Sequence, residues 1–366
     1  MRRYLLGDLV RNCKEKVDRD NNPYEYFVAG DHMETERPRL TMRGRFDEAD
    51  VGPAFIRLFR PGQVLYGSRR TYLKKVSVAG FEGVTSNVTF VLETKDEEVL
   101  PQRLLPFLLL SDRFTSYSIG KSKGSTNPYV LFSDLADFEV DLPGPVRVAE
   151  IADVMCAAEQ VKENYRSLLA ACDDVVKSQF VEMFGDPSVN NGHWPVSRLD
   201  GFAQIITGNT PSRKRPEYYG EGTEWIKTDN IVDSVVTTAA EQLTIAGREK
   251  ARIAPEGSIL MACIAGSVSS IGKVGLLDRE VAFNQQINAI VPSDKVDARF
   301  LLAMLSMSKA YLCSNVNQQL KGILNKSALS AKQFPVPPLE LQQEFADFAA
   351  SVDKSKFKLG TCGGML

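Results

Sequence analysis

Apolar residues recur at alternating steps of three and four through residues 146–184, a stretch with no internal proline or glycine. Ile151, Val154, Ala158, Val161, Tyr165, Leu168, Cys172 and Val175 form the seam of a coiled coil. Leu169, Val176, Phe180, Met183 and Phe184 add a second stripe toward its end. The pattern predicts one helix over 146–185, on the order of 55–60 Å long at ~1.5 Å per residue. Gly185-Asp186-Pro187 stops it, glycine just past the last apolar pair and proline shortly after. A seam of that length needs another helix to cover it.

On either side the pattern changes to short apolar runs cut by turn residues. In 1–145, an apolar run at 54–59 precedes the turn Arg60-Pro61-Gly62 and the strand Val64-Leu65-Tyr66. Runs at 76–79 and 87–92 follow, split by 80–85, and 104–110 reads as a buried helix continuing toward Tyr117. A glycine- and lysine-rich loop at 120–127 and an apolar edge ending at Pro143 close the unit. In 186–338 the same order returns, displaced by just under two hundred residues. Ile259-Leu260-Met261 after Gly257 answers Val64-Leu65-Tyr66 after Gly62, and residues 288–291 answer 89–92. The helix at 300–312, the loop at 320–326 and the edge at 334–339 complete the repeat. Leu341, Phe345, Phe348 and Val352 then give a second, shorter helix over 339–358, followed by a tail at 359–366. Its partner is the long helix, of which it covers about half, leaving 168–176 bare.

Length fits this division, since 366 residues exceed one ordinary core. Hydrophobic content of 43% and charged content of 25% are those of a soluble globular chain. No apolar run approaches the ~20 residues needed to cross a bilayer. The six cysteines form no C-x-x-C pair, which fits reduced thiols in a cytoplasmic protein. A net charge of −2 argues against a generic polyanion coat, so any nucleic-acid contact must rest on local clusters. These are Arg69-Arg70 with Lys74-Lys75, Lys121 with Lys123, Arg213-Lys214-Arg215, and Lys321 with Lys326.

Catalytic patterns fall short. Asn21-Asn22-Pro23-Tyr24 and Asn127-Pro128-Tyr129 lack the second proline of a methyltransferase N-P-P-Y loop, and Asn-Pro turns explain them better. The stretch from Gly266 to Lys273 has one residue too many for a P-loop and Val274 where Ser or Thr belongs. Glu93-Thr94-Lys95 ends like a nuclease site but has no aspartate-bearing strand before it. Only His32 and His193 are present, too few for a histidine-based metal centre. No metal site and no bound cofactor are expected. Binding fares better. Lys121, Lys123, Ser125, Thr126 and Asn127 lie on a glycine-flexible loop whose counterpart carries Lys321, Asn325 and Lys326. Glycine admits close approach to phosphate, lysine neutralises it, and Asn or Arg can read base edges. Arg69, Arg70 and Lys74, with Thr210, Ser212, Arg213, Lys214 and Lys227, complete the candidates for DNA contact. Tyr218 and Trp225 read as loop or core anchors.

The arrangement resembles the HsdS specificity subunits of type I restriction–modification systems. Gly208-Asn-Thr210-Pro211-Ser212, Glu217-Tyr218-Tyr219-Gly220 and Glu224-Trp225-Ile226-Lys227-Thr228-Asp229-Asn230-Ile231 together resemble that family's G-x-T-P-S … Y-x-x-G … W-I-K-x-x-D-I entry. Phe334-Pro-Val-Pro-Pro-Leu339 resembles its exit into a spacer helix, and Ser178-Gln-Phe180-Val-Glu-Met183-Phe184-Gly185 a spacer-helix end. The first half lacks these motifs. The resemblance implies an α+β architecture: two repeated mixed α/β target-recognition domains separated by long coiled-coil spacer helices packed antiparallel. It implies a non-catalytic subunit whose domains each read half of a bipartite duplex site, with the helix pair fixing a gap of roughly one DNA turn, ~34 Å. It implies methyltransferase and restriction subunits as partners, to which S-adenosylmethionine, ATP and magnesium would belong. A second copy, docked through the helices, is a further expected partner. Two other classes predict different behaviour: a self-sufficient methyltransferase or nuclease would act alone, and an interaction scaffold would hold no DNA at physiological salt.

Overall fold

The computed structural model describes residues 1–190, 192–264, 270–314 and 323–363, with 357–363 by backbone alone. It divides into two compact units, Met1–Glu163 and Asn164–Leu366, the division falling inside the helix Pro145–Phe184.

In the first unit, strands Val10–Cys13, Thr89–Thr94, Val64–Gly67 and Val76–Val78 form, in that order, an antiparallel sheet. Alternate residues serve opposite faces, as a strand requires. Val64, Tyr66, Phe90 and Leu92 join Leu105, Leu109 and Phe114 of the helices Leu105–Leu110 and Asp112–Gly120. Leu65 and Val91 instead meet Val28 and Phe59 of a second sheet. That sheet runs Gly44–Arg45, Tyr26–Val28, Gly83–Ser86, Phe55–Phe59, with its middle pair parallel. Arg2–Leu5 pairs with Glu139–Leu142 beside the start of the long helix.

The second unit repeats this element by element. Ala203–Thr207, Ile287–Pro292, Ile259–Ala262 and Val274–Leu276 make the antiparallel sheet. Gln242–Leu243, Tyr219–Ile226, Val281–Phe283 and Ile253–Ala254 make the mixed one, again parallel at its middle pair. Val196–Arg198 pairs with Gln333–Pro335. Helices Ala298–Met307 and Lys309–Cys313 cover the outer face, the first capped by Asp297 Oδ1, which accepts from Arg299 N (2.7 Å) and Phe300 N (3.2 Å).

Two readings of the sequence need correction. Residues 80–85 do not merely separate strands, because Gly83–Ser86 is a fully buried central strand. A Cβ on Gly83 would lie 2.7 Å from Tyr26 O and 2.9 Å from the Phe59 ring, so this glycine serves close packing, not a turn. The repeat is also offset by one residue in one strand. Val64 lies opposite Leu92 as Ile259 lies opposite Ile290, so Leu92 answers Ile290 and not Val291. Both strands are covered on both faces, and a continuous apolar run carries no alternation to set register.

The long helix is bedded at its ends. Val148 and Ala152 enter the first unit's core; Phe180 and Phe184 enter the second's. Gly185 takes the left-handed φ of +80° expected just past its end. Between them, Glu163 is 4% exposed and takes two hydrogen bonds from Arg37, at 3.0 and 2.7 Å. The seam itself stays open, with Val154 67%, Val161 38%, Leu168 45% and Val175 49% exposed. The terminal helix, Leu339–Gly363, runs past the expected end at 358 and continues through Gly360. Within the second unit its Phe345 meets Phe180 and Phe184 with ring centroids 5.3 and 5.9 Å apart, and its Lys356 pairs with Asp173 at 2.5 Å. It therefore lies on the second stripe of the long helix, where two phenylalanines bury more than the alanine- and valine-rich seam offers.

Candidate nucleic-acid interface

In the first unit the structure brings together candidates almost sixty residues apart. The loop after strand Val64–Gly67 is stitched to residues 123–130: Arg70 N–H donates to Pro128 O (2.7 Å), Val130 N–H to Ser68 O (2.9 Å), and Lys123 and Tyr129 exchange backbone bonds of 2.8 and 3.0 Å. Arg70 Nε donates to Asn127 Oδ1 (3.3 Å), and the Arg69 guanidinium lies 5.9 Å from the Tyr129 ring centre. Arg70 and Lys74 flank the turn Thr71–Leu73 with φ of +51° and +46°, left-handed values unusual for side chains with a Cβ. Such local strain persists only where the surroundings hold it, often at binding loops. Ser125, Thr126 and Asn127 stand exposed beside Gly124, φ +85°.

The cations of this loop pair divide into two groups. Lys74 is held by Glu36 at 2.6 Å and Asp112 at 2.9 Å, and Lys123 by Asp134 at 2.8 Å. Those lysines keep the Asp112 and Asp134 carboxyls below their ordinary range, by hydrogen bond first. Arg69, Arg70 and Lys121 make no salt bridge among the described residues. Lys121 Nζ instead hangs 5.4 Å from the Tyr117 ring centre. Their charge remains available to a polyanion.

In the second unit, Gly208 sits where a Cβ would come within 2.1 Å of Asn284 O, so the chain turns tightly against the sheet before the Thr210-Pro211-Ser212 loop. That loop is braced from within. Asn209 donates from Nδ2 to Lys250 O (2.7 Å) and accepts at Oδ1 from Arg252 N–H (2.6 Å). Trp225 Nε1 donates to Asn209 O (3.3 Å), Tyr219 OH to Pro211 O (2.5 Å), and Thr210 Oγ1 bonds Gln285. Ser212 and Lys214 are exposed at the tip. Trp225, 3% exposed, is a core anchor.

Arg213 folds back over that anchor, its guanidinium 4.1 Å from the centre of the Tyr219 ring and 4.9 Å from that of Trp225. Both its terminal nitrogens reach Glu241, Nη2 donating to Oε2 at 3.1 Å, and Lys227 Nζ reaches the same carboxylate at 2.6 Å. The hydrogen bond from Arg213, then Lys227, hold the Glu241 carboxyl at about 2, well below the usual range, against the opposing effect of burial. Asn325 Oδ1 accepts from Ala328 N–H (2.8 Å), capping the helix Lys326–Ser330, at whose exposed start Lys326 sits. Lys321 and residues 265–269 of the P-loop-like stretch lie outside the described residues.

Glu241 and Arg43 are two residues that the sequence did not single out. Arg43 lies 3.6 Å from the Tyr26 ring centre and 5.0 Å from that of Phe81. The ladders do not make these two sites equivalent, because Tyr26, under Arg43, answers Glu224 and faces the other side of the strand from Phe27, which answers Trp225. Phe27 lies opposite Val84 and Gly44 as Trp225 lies opposite Ala282, with its N–H on Glu241 O (3.0 Å). Gly44 thus occupies the place of Glu241, and a Cβ there would be 2.2 Å from the Phe27 ring. A glycine between two arginines was the one available signal for Arg43; nothing in the sequence marked Glu241. Glu93 is held by Arg11 (2.8 and 2.6 Å) and Gln63 (2.8 Å), a structural role. Among the described residues no His, Cys, Asp and Glu cluster could hold a metal ion, and no helix is long and apolar enough to cross a membrane.

The family model for the type I restriction modification DNA specificity domain matches residues 191–361. The chain is similar to the type I restriction enzyme HindI specificity subunit of Haemophilus influenzae, 23% identical with 95% of this chain and 92% of that one covered. It is 26% identical over 177 residues, 44% of this chain and 38% of the other, to the type I restriction enzyme MjaIX specificity subunit of Methanocaldococcus jannaschii. Among solved structures, a type I restriction–modification S subunit from M. genitalium shares the fold, with a TM-score of 0.54 at 13% identity over 100% of this chain and 92% of that one.

Proposed function

We propose that the chain, whose residues 191–361 match the family model of the type I restriction modification DNA specificity domain, is a specificity subunit that reads a bipartite, asymmetric stretch of duplex DNA, each unit taking one half-site through the major groove. It is a DNA-recognition subunit and not an enzyme; cleavage and methylation belong to the other subunits of such a complex. The observation that carries the half-site reading is a repeated scaffold whose equivalent strand positions carry different side chains. Two units share one strand order, yet Phe27 and Gly44 stand in the first where Trp225 and Glu241 stand in the second. One scaffold with two sets of side chains is what two unlike half-sites require.

The long and terminal helices then act as an antiparallel spacer pair setting half-site separation near one DNA turn, ~34 Å. The order of contacts supports this: Phe345 meets the end of the long helix, and Lys356, farther along, meets the earlier Asp173. The open seam at Val154, Val161, Leu168 and Val175 supports docking of a methyltransferase subunit, with a restriction subunit joining it, and equally offers a second copy of this chain a place to pair. S-adenosylmethionine, ATP and magnesium would be bound by those partners, in the cytoplasm where their DNA lies. The reading is tested by incubating the purified chain with labelled S-adenosylmethionine, ATP, magnesium and duplex DNA. No methyl transfer and no cutting are expected until a cognate methyltransferase subunit is added, which should methylate one defined site. Either activity from the chain alone would overturn it.

A further inference from the structure

Arg213 is held more firmly than a surface arginine needs to be. Its guanidinium lies on Tyr219 and Trp225, each ring itself tied to the Asn209–Pro211 backbone, while its two terminal nitrogens meet Glu241. A guanidinium carries five N–H donors in a fixed fork. Two are engaged by Glu241, and the side chain is still 52% exposed, so the remaining donors are presented in a fixed direction. An arginine ordered in advance loses less side-chain freedom on forming paired hydrogen bonds.

We propose that Glu241 is a specificity-determining positioning residue: it fixes Arg213 as a rigid fork for the paired acceptors of a guanine edge, and its charge restrains indiscriminate duplex binding by the second unit. The inference rests on the DNA-reading function proposed above. The chemical class follows from the donor set, since guanine O6 and N7 offer two adjacent acceptors in the major groove. The restraint follows from charge. Arg213 and Lys227 share one carboxylate, so the cluster carries one net positive charge; without Glu241 it carries two. The equivalent position in the first unit is Gly44, where the Phe27 ring leaves no room for a side chain. The device therefore belongs to one half-site only.

Glu241→Gln keeps the size of the side chain, removes its charge, and frees Lys227 for a phosphate. The two consequences have opposite signs. Affinity for random duplex rises, with a salt slope steeper by about 0.9 for one added phosphate contact. Preference for the site recovered from a randomised duplex pool over one scrambled in the second unit's half falls roughly tenfold. A merely structural role would lower both together. The experiment titrates the full chain, as wild type, Glu241→Gln and Arg213→Lys, against 30-base-pair duplexes of those two kinds at several salt concentrations. Arg213→Lys keeps the charge but not the fork, so it should lose the preference without gaining random-duplex affinity. It carries the test should Glu241→Gln melt early. Unchanged preference in both variants, in a wild type that discriminates, overturns the inference alone. A wild type that does not discriminate overturns the DNA-reading function itself.

Discussion

Replacing Phe180 by alanine removes a fully buried ring at the point where the long helix, the helix Ala298–Met307 and the terminal helix meet. The ring stacks on Phe300 at 5.3 Å and 22°, and meets Phe184 at 5.1 Å and Phe345 at 5.3 Å edge-on. Loss of a buried phenylalanine costs about 3–5 kcal/mol, from transfer and the residual cavity. Three helices hold the site, so little collapse is available, and the upper part of that range is expected. At about 2–4 °C per kcal/mol for a unit near two hundred residues, the second unit should melt roughly 6–20 °C lower. The first unit anchors its end of the helix through Val148 and Ala152, so its own transition should stay in place. Phe180→Leu keeps most of the burial and loses the ring contacts, worth ~0.5–1.5 kcal/mol for each pair, and should fall between. Calorimetry of the full chain, with each variant beside wild type, separates the two transitions. A loss below about 1 kcal/mol, or an equal shift of both transitions, would refute the packing argument.

Arg70→Ala should flatten the salt dependence of DNA binding by about 0.9 for one lost phosphate contact, whereas Lys74→Ala, already engaged by Glu36 and Asp112, should leave the slope unchanged; fluorescence titration at several salt concentrations checks both. Gly208→Ala should destabilise the second unit, because the added methyl meets the Asn284 carbonyl and the Phe283 ring, and chemical denaturation should register it as a lower midpoint. Acid should weaken the second unit through Glu241. Its carboxyl is held at about 2 in the fold, against ~4.3 when unfolded, so its contribution is complete above the unfolded value and lost as pH falls toward the folded one. Melting temperatures between pH 5 and 2 should therefore fall less steeply in Glu241→Gln than in wild type.

What the sequence disclosed follows from how strongly each feature is encoded locally. The long helix has a seam without breakers and a Gly-x-Pro stop, and it ends at Phe184. The repeat was legible because glycine turns and apolar strands recur in one order, and the two units share their strand order. The central strand Gly83–Ser86 was hidden because glycine reads as a turn until a second backbone is seen 2.7 Å away. The register of Thr89–Thr94 was ambiguous because both of its faces are covered. Charge pairing was the least legible layer. Lys74 and Asp112 lie 38 residues apart, and Arg213 and Glu241 lie 28 apart, with no periodic signal connecting either pair. Asn325, placed among the loop candidates by its repeat position, spends its carbonyl oxygen on a helix cap.

The most direct measurement of the central claim is selection from a randomised duplex pool by the full chain with its methyltransferase partner, followed by the same selection with residues 120–129 of the first unit exchanged for another loop. The account predicts a split motif, two short specified blocks flanking an unspecified gap, in which the exchange rewrites one block and leaves the other block and the gap intact. A single contiguous motif, no enrichment at all, or a change in both blocks would contradict it.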